Sequence, residues 1–480
     1  MATPIPHNRA SFTLEEVAAA TRGAIHGDPA LCIEGVAIDS RAVTEGALFV
    51  AIRGENQDGA QYLPLAVERG ARALLVHPGS ACPEGVSRIE VDDTTRALGD
   101  LAAYHRRRWG RKLVAITGSA GKTTTKELTA GAVSATSLRV LKTEGNLNNQ
   151  FGVPMTLFCL GVEHDVAVLE VGTSARGEIA RLGEICQPNV AVVLLAAAAH
   201  TAGIGSVLDV ADEKSSLFRA LSADGVGIVN ADDANLVSRV PHGLTTLSFG
   251  RAEVADYRLL EVTLSLEGSV VRIGLPDGAE RTLTLHLLGE AAALDACAAL
   301  GATLSLCGTD KLDAALTGLS QVRATPGRMA LSRVASGAIV LDDTYNANPR
   351  STELGLSTLK ALSSGTEGRT LAVLGDMKEL GHLSATEHTR IGELAVRLGI
   401  DVLIGCGDEM TYATSRAARL SGGRLAPHPT RVVHVMDPMA SIPIIRSLWR
   451  PGDVVLVKGS RSMRMERIVE ALVGQREEAV

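Results

Sequence analysis

One stretch constrains this chain more than any other: Ile116-Thr117-Gly118-Ser119-Ala120-Gly121-Lys122-Thr123-Thr124-Thr125. The run before it, LVAITGS, has the unbroken small-aliphatic character of a strand buried on both faces. The run after it, from Lys122 to Ser134, reads as a helix. Glycines in such a turn let backbone N–H groups converge on phosphate oxygens, and the helix N-terminus adds partial positive charge. Lys122 is placed to neutralise β- and γ-phosphates, and the Thr123 hydroxyl to reach a magnesium ion. The spacing is the shorter GxxGKTT form, because Ile116 stands five positions before Gly121. A chance GKT turn would lack the strand before and the helix after. Gly118, Ser119, Ala120, Gly121, Lys122, Thr123 and Thr124 are therefore read as a nucleoside triphosphate loop.

A chain of 480 residues has room for about three domains of ordinary size. The segment 1–105 alternates short apolar runs (CIEGVAI, ALFVAI, RALLV) with turns and reads as a small α/β unit. The segment 106–325 repeats strand, loop and helix through DVAVLEVGT and NVAVVLL. It then switches to alternating runs around a Pro276-Asp277-Gly278 turn, predicting an antiparallel subsheet on a parallel one. In 326–480, IVLDDTY, TLAVLGDM, DVLIGCG and VVLVKGS alternate with helical stretches. That pattern predicts a doubly wound Rossmann-like domain with Asn346, Asp376 and Lys458 at carboxyl strand ends, where ligands bind. The fold class is α/β throughout.

Composition narrows the function. Lys and Arg number 47 against 54 Asp and Glu, a net charge of −7, and aromatic residues make up 3%. Neither suits a protein devoted to nucleic-acid backbones or base stacking. The basic run Arg106-Arg107-Arg108-Trp109-Gly110-Arg111-Lys112 is accordingly read as a solvated linker or helix end. Seven scattered cysteines with no CxxC spacing argue against a disulfide framework and a structural zinc site, and suit a reducing compartment. The N-terminus lacks a signal-peptide pattern, and the longest uncharged apolar run, Val190 to Ala199, is half a membrane span. A cytoplasmic protein without a membrane span is expected.

Further polar residues sit where a parallel sheet presents its ligand-binding edge. Glu170 ends DVAVLE and His200 ends NVAVVLLAAAAH. Position alone favours a metal ligand at Glu170 and a carbonyl-bonding imidazole at His200. The loop Gly145-Asn146-Leu147-Asn148-Asn149-Gln150 offers amides to a polar substrate, and reads equally as an Asn-rich turn. Lys214, in ADEKSSLF, is on these grounds an ordinary helix lysine.

Taken together, TGSAGKTTTKE, EGNLNNQFGVP, Pro326-Gly327-Arg328, Asp342-Asp343-Thr344-Tyr345-Asn346-Ala347-Asn348-Pro349, LGDMKELG and VLVKGSRSMRME resemble the Mur ligases over nearly the whole chain. These are ATP-dependent amide ligases of peptidoglycan precursor synthesis. DDTYNANP resembles most specifically the branch that adds D-alanyl-D-alanine to a UDP-N-acetylmuramoyl-tripeptide through an acyl phosphate. The resemblance implies a UDP-sugar-binding first domain using Ser40 and Arg41, a central ATP-binding domain, and a third domain that closes over ATP and binds the dipeptide. It implies ATP contacts from Asn149, Asp295, Arg328, Asp343, Tyr345 and Asn346, and substrate contacts from Asn146, Asn148 and Asn348. Two magnesium ions are implied, with Thr123, Glu170, His200 and a carbamylated Lys214 as ligands, and Lys122, His200, Lys214 and Arg328 as the catalytic group. A monomer is expected. Rival readings are a related ligase with another amino-acid acceptor, or a non-catalytic nucleotide-binding relic. The chain also departs from the pattern. Leu194 and Leu195 replace an asparagine, His200-Thr201-Ala202 lacks the usual acid, and Ala291 and Ala292 stand where amides contact adenine, leaving Asp295 as one polar contact. Weaker adenine recognition is expected.

Overall fold

The computed structural model describes residues 3–54, 58–198, 201–364, 368–424 and 426–474. Three main sheets follow one another along the chain. The first has five strands in the order Ala24–His26, Ser87–Glu90, Ala73–Val76, Leu48–Val50, Val36–Ala37, antiparallel only at its first pair. The second has nine, of which Val140–Lys142, Val166–Glu170, Lys112–Thr117, Val190–Val193, Val226–Asn230 and Thr246–Gly250 lie parallel. The alternating segment joins that sheet as an antiparallel meander, Tyr257–Ser265, Gly268–Gly274 and Glu280–Leu285. The third has six strands in the order Ala330–Arg333, Ile339–Asp343, Val454–Lys458, Thr370–Gly375, Val402–Cys406, Arg431–Val435, and only the first pair is antiparallel.

Strand Lys112–Thr117 is central to the second sheet. The chain leaves it toward one edge and returns to its other side with Val190–Val193. That is a topological switch point, where the loops at the carboxyl ends diverge and open a crevice. The phosphate loop stands over that crevice because it follows this strand and no other.

Helix Thr94–Trp109 joins the first two sheets. Asp93 caps its start by accepting from the Arg96 N–H, and Gly110 ends it in the left-handed region at φ 69°. The boundary drawn at 105 therefore falls inside a helix, and one apolar cluster runs continuously from Phe12 and Leu14 to Leu169 and Val193. Of the two readings of the basic run, the helix end holds: Arg106, Arg107 and Arg108 stand in the last turn of this helix. Arg106 is buried and donates to the carbonyls of Cys186 and Gln187, while Arg108 lies 4.8 Å over the Phe12 ring and donates to the Ser11 carbonyl. A guanidinium satisfies several carbonyls at once, so a local charge count misses that Arg106 is buried while Arg107 and Arg108 stay exposed.

The apolar run to His200 is also not one strand. Pairing stops at Val193, because from Leu194 the backbone turns to brace its neighbours. Leu195 accepts from the Ser119 N–H, Ala196 donates to Asp233 and Ala197 donates to the Ser119 hydroxyl. His200 itself lies outside the described residues. One helix among the described residues, Glu290–Cys307, is long and apolar enough to cross a membrane, but 72% of it is buried, packed on Lys122–Ser134 and the second sheet.

Candidate functional site

The phosphate loop owes its shape to close packing. Gly121 caps the helix Lys122–Ser134 in the left-handed region at φ 84°, and a Cβ there would stand 2.4 Å from Asp295 Oδ1. A Cβ on Gly118 would stand 2.8 Å from Leu194 Cβ. Neither position admits a side chain without displacing its neighbour. Lys122 curls back so that Nζ donates to the Gly118 carbonyl at 2.8 Å. Withdrawal from water holds this ammonium below the ordinary lysine range, against the opposing pull of Glu170.

Around Lys122 the chain assembles a polar chain of contacts. Thr123 Oγ1 donates to Glu170 Oε2 at 2.9 Å, and Asn148 Nδ2 donates to the other oxygen, Oε1, at 2.8 Å. Arg328, from the third sheet's side, donates to Thr123 Oγ1 at 3.0 Å, with its guanidinium 3.9 Å from the Tyr345 ring centre. Asn348 reaches across in the same way, donating to the Ser119 carbonyl at 3.1 Å while its Oδ1 caps helix Pro349–Ser363. Both ends of the Asn348 side chain are thus engaged within the protein.

Between these walls lies a cavity of about 700 Å³. Ser119, Ala120, Gly121, Lys122, Thr124 and Glu170 face it from the central sheet, as do Asn146, Asn148, Asn149 and Asp295. Arg328, Asp343, Tyr345, Asn346 and Asn348 face it from the third. Asn149 Oδ1 also holds the turn that leads into helix Gly152–Leu157 by accepting from the Phe151 and Gly152 N–H groups. Asp343 pairs at 2.6 Å with Lys458 Nζ, which also donates to the Asn346 carbonyl at 3.0 Å and so fixes that loop. Asp376 is structural: it accepts from the Met410 N–H and from Lys378 Nζ.

Three predicted residues lie elsewhere. Ser40 is buried and Arg41 chelates Asp39 on the first sheet's surface, neither on this cavity. Lys214 is buried in helix Val207–Ser215, at 2% exposure. Burial first, and Lys122 second, bring its ammonium down to about 7. Asp295 is likewise buried, and desolvation pushes its carboxyl up to about 8 against the field of Arg328. Lys458, expected at a ligand-binding strand end, does line the cavity, and Lys378 and Arg461 line it without having been assigned a role. The signal for them was there, since each sits inside LGDMKELG or VLVKGSRSMRME.

Thr123 and Glu170 provide hard oxygen donors at hydrogen-bond separation, and no cluster of three His, Cys, Asp or Glu exists among the described residues. Such a sparse set fits a magnesium ion shared with phosphate oxygens and water rather than an all-protein cage.

A phosphate loop at a switch point, met across a cleft by an arginine from the loop that enters the third sheet, defines a P-loop protein. The Mur ligase middle domain matches residues 116–303, the Mur ligase glutamate ligase domain 327–461, and the Mur ligase family catalytic domain 32–106. The UDP-N-acetylmuramoyl-tripeptide–D-alanyl-D-alanine ligase of Escherichia coli K12 is 35% identical over 467 residues, covering 96% of this chain and 98% of its own. Its Bacillus subtilis counterpart is 34% identical, covering 92% and 93%. A crystal structure of MurF from Acinetobacter baumannii superposes with a TM-score of 0.86 at 30% identity, covering 98% of this chain and all 100% of that one. MurF from Thermotoga maritima in complex with ADP superposes with a TM-score of 0.80 at 26% identity, covering 91% and 96%. The chain belongs to the Mur ligase family, in the branch of the UDP-N-acetylmuramoyl-tripeptide–D-alanyl-D-alanine ligases.

Proposed function

We propose that this protein joins D-alanyl-D-alanine to the peptide carboxylate of a UDP-N-acetylmuramoyl-tripeptide, converting ATP to ADP and phosphate. The observation that carries the reading is the Arg328–Thr123–Glu170 contact beside Lys122, which brings two cations from opposite walls to one phosphate loop. In this reading a carboxylate oxygen of the tripeptide attacks the γ-phosphorus and ADP leaves. The dipeptide amine then attacks the acyl carbon, loses a proton and expels phosphate. Both reacting partners of the first step are anions, so Lys122 and Arg328 act by offsetting their repulsion in a cleft shielded from water.

Thr123 and Glu170 would hold a magnesium ion, which when bound supplies further charge neutralisation at the phosphate oxygens. We assign His200 to a second such ion. Lys214 is the candidate carbamate: a neutral amine adds to carbon dioxide and loses a proton, and a lysine brought down to about 7 supplies neutral amine at physiological pH. Asn149, Asp295, Asp343, Tyr345 and Asn346 are assigned to the nucleotide side, Asn146, Asn148 and Asn348 to the peptide, and Ser40 and Arg41 to the UDP-sugar. Seven free thiols suit work in the cytoplasm, and we take the working unit to be a monomer.

The test is phosphate release measured over a panel of UDP-muramoyl peptides crossed with amines. Release should require both the tripeptide and D-alanyl-D-alanine. A single amino acid as the better amine, or release independent of any amine, overturns the reading.

A further inference from the structure

A second lysine, unused by the chemistry above, is buried one turn beyond the phosphate loop. Lys126 follows Lys122 by four residues and Thr123 by three on helix Lys122–Ser134, so the three share a face. It is 2% exposed, and lysines are buried to that extent only when paired. Its Nζ lies 2.9 Å from Glu127 Oε1 and donates to the Thr143 carbonyl at 2.7 Å. Glu127 does not depend on this pairing, because its other oxygen meets Lys142 Nζ. Thr143 is fully buried. Its N–H donates to the Val168 carbonyl at 3.2 Å, and its Oγ1 accepts from the Glu170 N–H at 2.9 Å. It also leads into the loop whose Asn148 donates to Glu170 Oε1. Helix Lys122–Ser134 therefore reaches Glu170 by two routes. Thr123 meets its Oε2 directly, and Lys126 holds its backbone through Thr143.

We infer that Lys126 is a positioning residue for the magnesium site assigned above to Thr123 and Glu170, an assignment on which this step rests. By clamping the Thr143 carbonyl it fixes the hydroxyl that holds the Glu170 backbone and the point from which the Asn148 loop departs. A carboxylate that shares a metal with phosphate oxygens and water has few protein neighbours on the metal to direct it, so its own hydrogen bonds must set its orientation. A charged donor suits that task. Its bond to a carbonyl is roughly twice as strong as a neutral one, and a buried charge is little screened by salt. A tie needed only for folding could join this helix to the neighbouring strand at any free carbonyl. This one falls on the residue that also receives the Glu170 N–H.

The experiment measures ADP binding to the full-length protein by calorimetry, with magnesium chloride and with EDTA. The proteins are wild type, Lys126→Met, Lys126→Gln, Thr143→Val and the Lys126→Met/Thr143→Val double variant. Methionine keeps the length of the side chain without its charge, and valine keeps the shape of threonine without its acceptor. Wild type should bind ADP more tightly with magnesium. Lys126→Met and Thr143→Val should each lose on the order of 10-fold in affinity with magnesium, as residues that orient a metal ligand do, and match wild type in EDTA. The double variant should lose no more than the more affected single variant, because both act on one path. Lys126→Gln keeps a donor for the carbonyl and should lose less than methionine, which also covers a methionine variant that fails to fold. Equal losses with magnesium and in EDTA would make Lys126 a structural tie and overturn the inference. So would Lys126 variants that bind ADP as wild type does, or losses that add in the double variant. Wild type whose ADP affinity ignores magnesium overturns the assignment of Thr123 and Glu170 as well, and that outcome is read without any variant.

Discussion

Lys214, in the field of Lys122, and Asp295, against Gly121, are both buried, and each is pushed toward its neutral form. If Lys214 works as a carbamate, Lys214→Ala should lower turnover by on the order of 10²-fold or more, as loss of a charge-stabilising group does. Short carboxylic acids should restore part of it by supplying the missing anionic oxygen. A fully active Lys214→Ala enzyme would show that the lysine is dispensable. Asp295 yields a prediction about pH. Its carboxyl titrates at about 8 in the native protein, whereas the unfolded chain titrates near ~4. Between those values the native state holds a proton that the unfolded state has released, so stability present at low pH is lost as pH rises toward 8. Asp295→Asn has no such proton. Its apparent Tm should exceed the parent's by a margin that grows between about pH 5 and 8, on the order of 2 °C or more. A margin that stays flat with pH would show that the buried carboxyl is already ionised.

At the scale of elements, helix ends matter more than helix interiors. Arg106 donates to the carbonyls of Cys186 and Gln187, at the end of helix Glu178–Cys186, and to Asn189 Oδ1, which also accepts from the Leu113 N–H. It thereby ties a helix end to the strand that carries the phosphate loop. Arg106→Ala should destabilise the fold by about 2–3 kcal/mol in denaturant unfolding, because buried carbonyls lose their donors. Lysine should recover only part, since its single nitrogen cannot take the places of both Nε and Nη2, which here reach separate acceptors. The helices and parallel strands were legible because each repeats a local pattern, as LVAITGS and IVLDDTY do. The Arg106 clamp was not, because its partners come from some eighty positions away along the chain. For the same reason the brace at 194–197 looked like strand: an apolar run does not say that its carbonyls and N–H groups will meet Ser119 and Asp233 instead of a neighbouring strand. The start of helix Glu290–Cys307 makes the opposite case, since the absence of amides there was plain in the sequence. Ala291 and Ala292 face the cavity beside Leu287 and Leu288. A missing polar contact is worth ~1 kcal/mol, so kcat/KM should favour ATP over GTP only several-fold. Preference by several orders of magnitude would mean that backbone groups read the base.

In the whole molecule, the first and second sheets share one apolar cluster, whereas the third meets the second mainly through Leu288, Ala198, Leu264, Leu266 and the polar contacts of Arg328 and Asn348. That difference matters for catalysis. The first pair of sheets forms a single apolar block, and on the proposed function the thinner junction is where nucleotide and dipeptide would enter. On the proposed function, Arg328 would be both a charge for the transferring phosphoryl group and a tie between the second and third sheets through its bond to Thr123. Its stacking on Tyr345 and its bond to Thr123 need a planar guanidinium, so Arg328→Lys should behave more like alanine than like wild type. Arg328→Ala should lower kcat on the order of 10²-fold while changing the KM for the UDP-substrate far less, because most of that ligand's proposed contacts, Asn348 apart, lie on the other block. With ATP and tripeptide present, small-angle scattering should give a larger radius of gyration for Arg328→Ala than for wild type. Equal radii with reduced kcat would leave Arg328 a purely electrostatic role, and a KM rise for the UDP-substrate matching the fall in kcat would place that substrate's contacts at the third sheet instead.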